Sequence, residues 1–509
     1  MYRFILSILL ILSYVHSSAS LRIDSVSIPL SDFTSIIPAN QSDSLFIPSH
    51  FSFQVLAQNG QPLNASTSFP PNFDFTGYVP IAGSSEHGYL SISSEFDPGG
   101  VSIVDLGFNT SNKRWQISNG RAVDFSSVLG TIANCSGTVT PWNTIITCEE
   151  YVISTDENRD GYLDTGWAIE IDPVSGTVIN NQKLWALGNF KHENLVVHSN
   201  QRTAYQGADS SPGYLFKYVS DVAQILDSGK LYVYKGSKNG SGNWLLLSNS
   251  TPTERNSVMS QSAQLGATSF AGIEDVEISP IDGKVYFAVK GESAVYRFQD
   301  SDPLTGTTVT SFETFAGGNG QSYDLATESG IVNEPWGNGN DNLAFDNEGN
   351  LWVLQDGSKN HLWVVGKNHT NSSPDVRIFM RTPSGSEPTG ITFSPDNRFL
   401  FMSIQHPSGG NSSSTQYDVT GAAVTFATDV AIVIARNEHW GLVPCQSSIT
   451  QTVGSIESGY YQSSSGTIVQ IPIEAPKKLV HRAANSIQLN SGFSTQEGST
   501  FKAEIGNCY

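Results

Sequence analysis

Short apolar runs alternate along the chain with clusters of Gly, Asn, Asp and Ser, a pattern that predicts strands joined by turns rather than helices. Three stretches share one template, a polar turn followed by an apolar strand: Ser279-Pro-Ile-Asp-Gly-Lys-Val-Tyr-Phe-Ala-Val289, Asp346-Asn-Glu-Gly-Asn-Leu-Trp-Val-Leu354 and Ser394-Pro-Asp-Asn-Arg-Phe-Leu-Phe-Met-Ser-Ile404. Each is preceded by a second strand-like run, at residues 275–278, 342–345 and 389–393, so each reads as a hairpin. Fainter copies fall at residues 88–96, 167–184 and 196–206. Hairpins recurring at this spacing predict an all-β chain, a six-bladed β-propeller with inserted loops and short helices. A large sandwich is the alternative. One helix is predicted, at residues 220–227, with Ser220 as its cap.

The pattern changes at both ends. Residues 1–20 read as a signal peptide: Arg3 is the basic start, residues 4–15 the apolar run, and Ser17-Ser-Ala-Ser20 the small residues before cleavage. That run is shorter than the ~20 residues needed to span a bilayer, and no later stretch approaches this length, so no transmembrane anchor is expected. Residues 21–75 then form an N-terminal extension, 76–440 the propeller and 441–509 a C-terminal segment. Residues 422–435 supply a buried closing strand, and Cys445 and Cys508 flank the last segment as a possible staple. Nine Asn-x-Ser/Thr acceptors suit a secreted, extracellular glycoprotein.

The chain carries 47 acidic against 27 basic residues, a formal charge of -20. That balance disfavours nucleic acid as a partner. It also repels phosphate esters unless bound cations reverse the field locally. Glu95, Glu149, Glu193, Glu274, Asp341 and Glu387 each fall at or beside the inner strand of a separate hairpin. In a propeller those strands converge on one channel, where carboxylates so gathered need several di- or trivalent ions; calcium, a hard cation, fits them. The triplet Cys148-Glu-Glu150 ends a β-branched run, Thr144-Ile-Ile-Thr147, and sets a thiol and two carboxylates at a strand end. Cys148 either pairs with Cys135 across a hairpin or stays reduced under a metal.

Asn134-Cys-Ser-Gly137, Thr140-Pro-Trp142, Thr147-Cys-Glu-Glu150, Phe190-Lys-His-Glu193, Gly207-Ala-Asp209, Ile273-Glu-Asp275, Asp341-Asn-Leu-Ala-Phe-Asp346 with Asp356-Gly357, and Glu387-Pro-Thr-Gly390 with Gln405-His-Pro407 occur in that order. Together they resemble the PhoX family of secreted alkaline phosphatases. The resemblance implies a six-bladed propeller holding ferric and calcium ions around a bridging oxo group, and hydrolysis of phosphate monoesters and sometimes diesters. It implies Cys148 as the thiolate ligand to iron, with Glu149 beside it and Glu193, Glu274 and Asp341 completing the metal shells. Glu387, Asn342, Asp356 and Glu95 are further candidates. Arg381, the nearest basic residue, is either a phosphate contact or a solvated arginine; His192 and His406 either orient carboxylates or simply pack. Two departures stand out. Gly272 and Ile273 replace the arginine and proline common ahead of the carboxylate matched by Glu274, and the signal segment lacks twin arginines.

Asp156-Glu-Asn-Arg-Asp-Gly-Tyr-Leu-Asp164 spaces Asp156, Asn158, Asp160 and Asp164 as a separate calcium loop does, with Gly161 sixth, but Trp167 stands where the bidentate glutamate belongs. A Ser nucleophile elbow, a Gly-rich phosphate loop with its Lys, and a His-Glu-x-x-His helix are all missing. Two other readings remain: a calcium-stabilised extracellular propeller that binds a partner without turnover, and a calcium-dependent propeller lactonase or phosphotriesterase.

Overall fold

Strands covered on both faces are apolar at successive positions rather than at every second one. Val285–Val289, Leu351–Gln355 and Phe399–Gln405 are buried throughout, because sheets stack against both of their sides. The computed structural model describes residues 28–442 and, beyond them, the strands Gly459–Ser463, Lys478–Ala483 and Thr500–Ile505. The predicted signal peptide at residues 1–20, and Cys445 and Cys508, lie outside the described residues.

Four sheets have four strands each and one has nine, all antiparallel. Their inner strands are β1 (Phe73–Pro80), β2 (Asn134–Val139), β3 (His192–Val197), β4 (Ile273–Ile278), β5 (Asn340–Phe345) and β6 (Glu387–Phe393). The nine-stranded sheet runs outward from β3, crosses at Gly240–Leu246 and Thr308–Gly317, and returns to β4. Each inner strand packs on the next and β6 packs back on β1, so the arrangement is propeller-like and closed. The apolar core is divided accordingly. Val79 and Ile103 meet Ile145 and Ile169 in one cluster, and Leu90 and Phe73 meet Phe401 and Val433 in another.

The chain closes this ring with its own opposite end: Phe51–Gln58 pairs along Val430–Arg436 as the outer strand of the sheet headed by β6. The predicted boundary at 75/76 therefore cuts through the domain, since residues 51–58 are one of its strands. The closing strand expected within residues 422–435 is present as Val430–Arg436. The helix predicted at residues 220–227 is instead a turn between Leu215–Val222 and Ile225–Gly236. Ser220 does not cap; its Oγ donates to the Val222 carbonyl at 2.7 Å, and Gln224 takes a positive φ of 64° to reverse the chain. The α-helices of the described residues are Pro252–Asn256 and Val258–Gln264, the first capped by a reciprocal Thr251 and Glu254 box.

Candidate metal centre

Each inner strand carries a β-bulge, two residues standing opposite one of its neighbour. In β1 to β5 the bulge directly follows the pair that ends the second strand; in β6 it comes two pairs later. The two bulged residues point in opposite directions. Asp74, Glu193, Glu274 and Asp341, first in their bulges, line a pit of about 410 Å³ at one mouth of the channel. Asn194, Asp275 and Asn342, second in theirs, line the other mouth. These second residues tie the ring together. The Asn194 amide donates to Asp275, which also accepts from the Leu343 amide at 2.7 Å, and Asn342 Oδ1 accepts from the Gly390 amide at 2.6 Å.

A second ring lines the pit, made of the residue that follows each second strand: Glu95, Glu150, Asp209, Lys290, Asp356 and His406. With Glu387 from the start of β6, nine carboxylates share the pit with one lysine. Oxygens of Glu193, Glu274 and Asp341 lie within 4.8 Å of one another, as do those of Asp341, Asp356 and Glu387. Lys290 Nζ sits 2.9 Å from Asp356 and 3.5 Å from Asp341. Gln405 donates to Glu95 at 2.9 Å, and His406 stands 3.8 Å from Glu387 at the rim.

Crowding and burial push these acids toward their neutral forms. Burial, and then Asp356 and Asp341, lift Glu387 to about 9; burial and Glu95 lift Glu150 to about 8; burial lifts Asp341 to about 6 against the opposing pull of Lys290. Asp74, Glu193 and Glu274 rise too, by burial first and mutual repulsion second. Asp74 Oδ1 and Glu274 Oε1 are buried without a hydrogen-bond partner. Unpaired buried carboxylate oxygens are costly, and a converging set of oxygen donors is what hard cations take. The residues present thus fit a metal centre.

Glu95, Glu193, Glu274, Asp341, Asp356 and Glu387 are brought together; several other sequence candidates are not. Glu149 points away, between sheets: its Oε1 pairs with Lys183 at 2.7 Å, and its carboxylate accepts from Thr131 and the Trp167 amide. The next residue, Glu150, is the one in the pit, because successive side chains of a strand face opposite sides. Cys148 is fully buried in an apolar cluster with Ile146 and Leu195, and burial raises its pKa. Neither Cys148 nor Cys135 is in a disulfide. Cys135, not Cys148, holds the first position of the bulge in β2; its Sγ lies 3.2 Å from the His192 carbonyl and 3.6 Å from that of Glu193. Asn342 serves the opposite mouth. Arg381 ends an outer strand, its guanidinium 4.8 Å above the Phe46 ring. His192 is buried, bonds the Gly188 carbonyl at 2.9 Å and stacks on Phe190, and burial lowers its pKa to about 4. In the predicted calcium loop, Asp156 accepts from the Asp160 and Gly161 amides, Asp164 from that of Glu157, and Asn158 donates to Asp160 at 2.9 Å. Its donors close the loop itself as Asx turns.

Sequence reasoning assigned no role to Asp74, Asp209 or Lys290, and named Glu150 only within the triplet with Cys148 and Glu149. Aligning the ends of the apolar second strands would have exposed Glu150, Asp209 and Lys290, since each is the next residue.

A family model described as Alkaline phosphatase PhoX matches residues 109–408. Among solved structures, Pseudomonas fluorescens PhoX in complex with vanadate, a transition state analogue, superimposes with a TM-score of 0.62 at 22% identity, covering 80% of this chain and 98% of that one. The periplasmic gluconolactonase PpgL of Pseudomonas aeruginosa aligns at a TM-score of 0.35 and 14% identity, over 76% of this chain and 96% of that one. No curated protein sequence matches.

Proposed function

The chain belongs to the PhoX family of alkaline phosphatases and is a phosphoric ester hydrolase, and on that premise we propose that it is a secreted, metal-dependent phosphatase cleaving phosphate monoesters in the pit. The observation that carries this reading is the pair of rings: nine carboxylates from six inner-strand hairpins, compensated by one lysine. We read the nine-stranded sheet as two fused blades, which makes a six-bladed propeller. Residues 1–20 would direct export, and residues 441–509 would follow the closed ring as an accessory segment.

Glu193, Glu274 and Asp341 would hold one cation, with Asp74, Glu95, Glu150 and Asp209 contributing to the rest and Asp356 and Glu387 lying on the side of Lys290. Calcium suits this all-oxygen set. Ferric iron would belong near Cys135, beside Glu193. Such cations, when bound, neutralise the phosphoryl oxygens, stabilise the charge of the transition state and lower the pKa of water. The chain supplies the rest. Its bulges aim the carboxylates inward, the Asn194, Asp275 and Asn342 bonds keep neighbouring inner strands in step, and Gln405 holds Glu95 in place. Lys290 is the positive group that the wall itself presents to an anionic ester, and His406 stands at the rim.

The test is elemental analysis of the secreted protein together with release of phosphate from a chromogenic monoester, before and after chelation. Bound calcium with iron, and activity that chelation removes and calcium restores, is the expected result. Phosphate release that survives complete removal of metal, or none from the metal-loaded protein, would overturn the proposal.

A further inference from the structure

Four members of the ring that follows the second strands are acidic: Glu95, Glu150, Asp209 and Asp356; the hairpin headed by β4 breaks the pattern with Lys290. Its ammonium lies 2.9 Å from Asp356 and 3.5 Å from Asp341. Those two carboxylates and Glu387 form one of the two groups close enough to share an ion. A divalent ion on the same oxygens would lie within a few ångströms of the ammonium, where like charges repel and one oxygen each of Asp341 and Asp356 already faces it. The other group is different: there Glu274 Oε1 is buried and unpartnered. The buried oxygens left without a partner are those of Glu274 and Asp74, so the unmet demand for a cation lies at those two acids rather than at Asp356.

We infer that Lys290 is the pit's built-in cation: its ammonium takes the place of one metal ion at Asp341, Asp356 and Glu387, and bound metal is left to the remaining carboxylates. The inference rests on the reading of the pit as a cation-binding phosphatase centre. It follows that the pit keeps one positive charge facing an anionic ester even where calcium is scarce.

Calcium bound per chain, counted by equilibrium dialysis on the full-length protein, is the test. Lys290→Met should bind about one more calcium than the unsubstituted protein, because it frees a complete oxygen group. Lys284→Met is the control; that side chain is 3.6 Å from Asp282, neither residue lines the pit, and its removal should leave the count unchanged. Equal counts for Lys290→Met and the unsubstituted protein overturn the inference. Should Lys290→Met not fold, acetylation of the unsubstituted protein decides. Lys290 should stay protected from acetic anhydride with and without calcium; exposure on calcium loading would mean that metal displaces the ammonium, and would equally overturn the inference. The count is independent of turnover. A protein that gains the extra calcium yet releases no phosphate defeats the phosphatase reading and leaves Lys290 in its role.

Discussion

Stripping the pit of metal should invert the pH dependence of stability. In the metal-free fold, Glu150 is held at about 8 and Glu387 at about 9, against an ordinary value of 4.5. Below pH 4.5 both are protonated in the folded and the unfolded chain, and their contribution is fully present. As pH rises the unfolded chain releases these protons while the folded pit retains them, so each group withdraws about 1.4 kcal/mol per pH unit until its folded value is passed. Between about pH 5.5 and 7.5 the two together remove on the order of 5 kcal/mol. That is comparable with the whole stability of many domains, about 5–15 kcal/mol. Asp341, at about 6, adds its share only at the acid end. Calcium reverses the sign, because an ion that binds the carboxylates favours their charged form. Thermal unfolding followed by tryptophan fluorescence, on EDTA-stripped and calcium-loaded protein across this range, reads the effect. The stripped midpoint should fall by several degrees while the loaded one stays level or rises. A stripped midpoint that is constant or climbs from pH 5.5 to 7.5 would refute the reasoning.

Glu193→Gln should lose at least about 100-fold in kcat/KM, since even groups that merely orient metal ligands are worth about 10–100-fold. Arg381→Met, remote from the pit, should keep full activity under the same monoester assay. Lys183→Met leaves the fully buried Glu149 without its cation and should cost about 3–5 kcal/mol in urea unfolding; adding Glu149→Gln should recover part of it, and a single variant as stable as the parent would deny the pair its role. Gly390→Ala should cost about 3 kcal/mol or more: φ is 46° there and a Cβ would lie 2.4 Å from the Phe75 Cα, where β6 meets β1. Unchanged thermal unfolding of that variant would show the ring seam to be looser than described.

Much of the architecture was legible along the chain. Val285–Val289, Leu351–Gln355 and Phe399–Gln405 were readable as strands because a sandwiched strand must be apolar on both faces. Glu193, Glu274, Asp341 and Glu387 were readable as a group because acids beside inner strands have one place to converge. The helix expected at residues 220–227 failed since its polar and apolar positions fit a twisted hairpin equally well, and the pairing of Ser220 with Gly229 and of Val222 with Ile225 decided.

Composition, turn residues and run lengths, all local properties, thus determined the strands, their hairpins and the acidic character of one channel mouth. Which of two adjacent residues faces that mouth was decided only by the tertiary structure, because strand geometry turns the side chain over at every step and a bulge shifts the count by one. Hence Glu150 rather than Glu149 lines the pit, Cys135 rather than Cys148 holds the first position of its bulge, and Lys290, far in sequence from Asp356, lies against it.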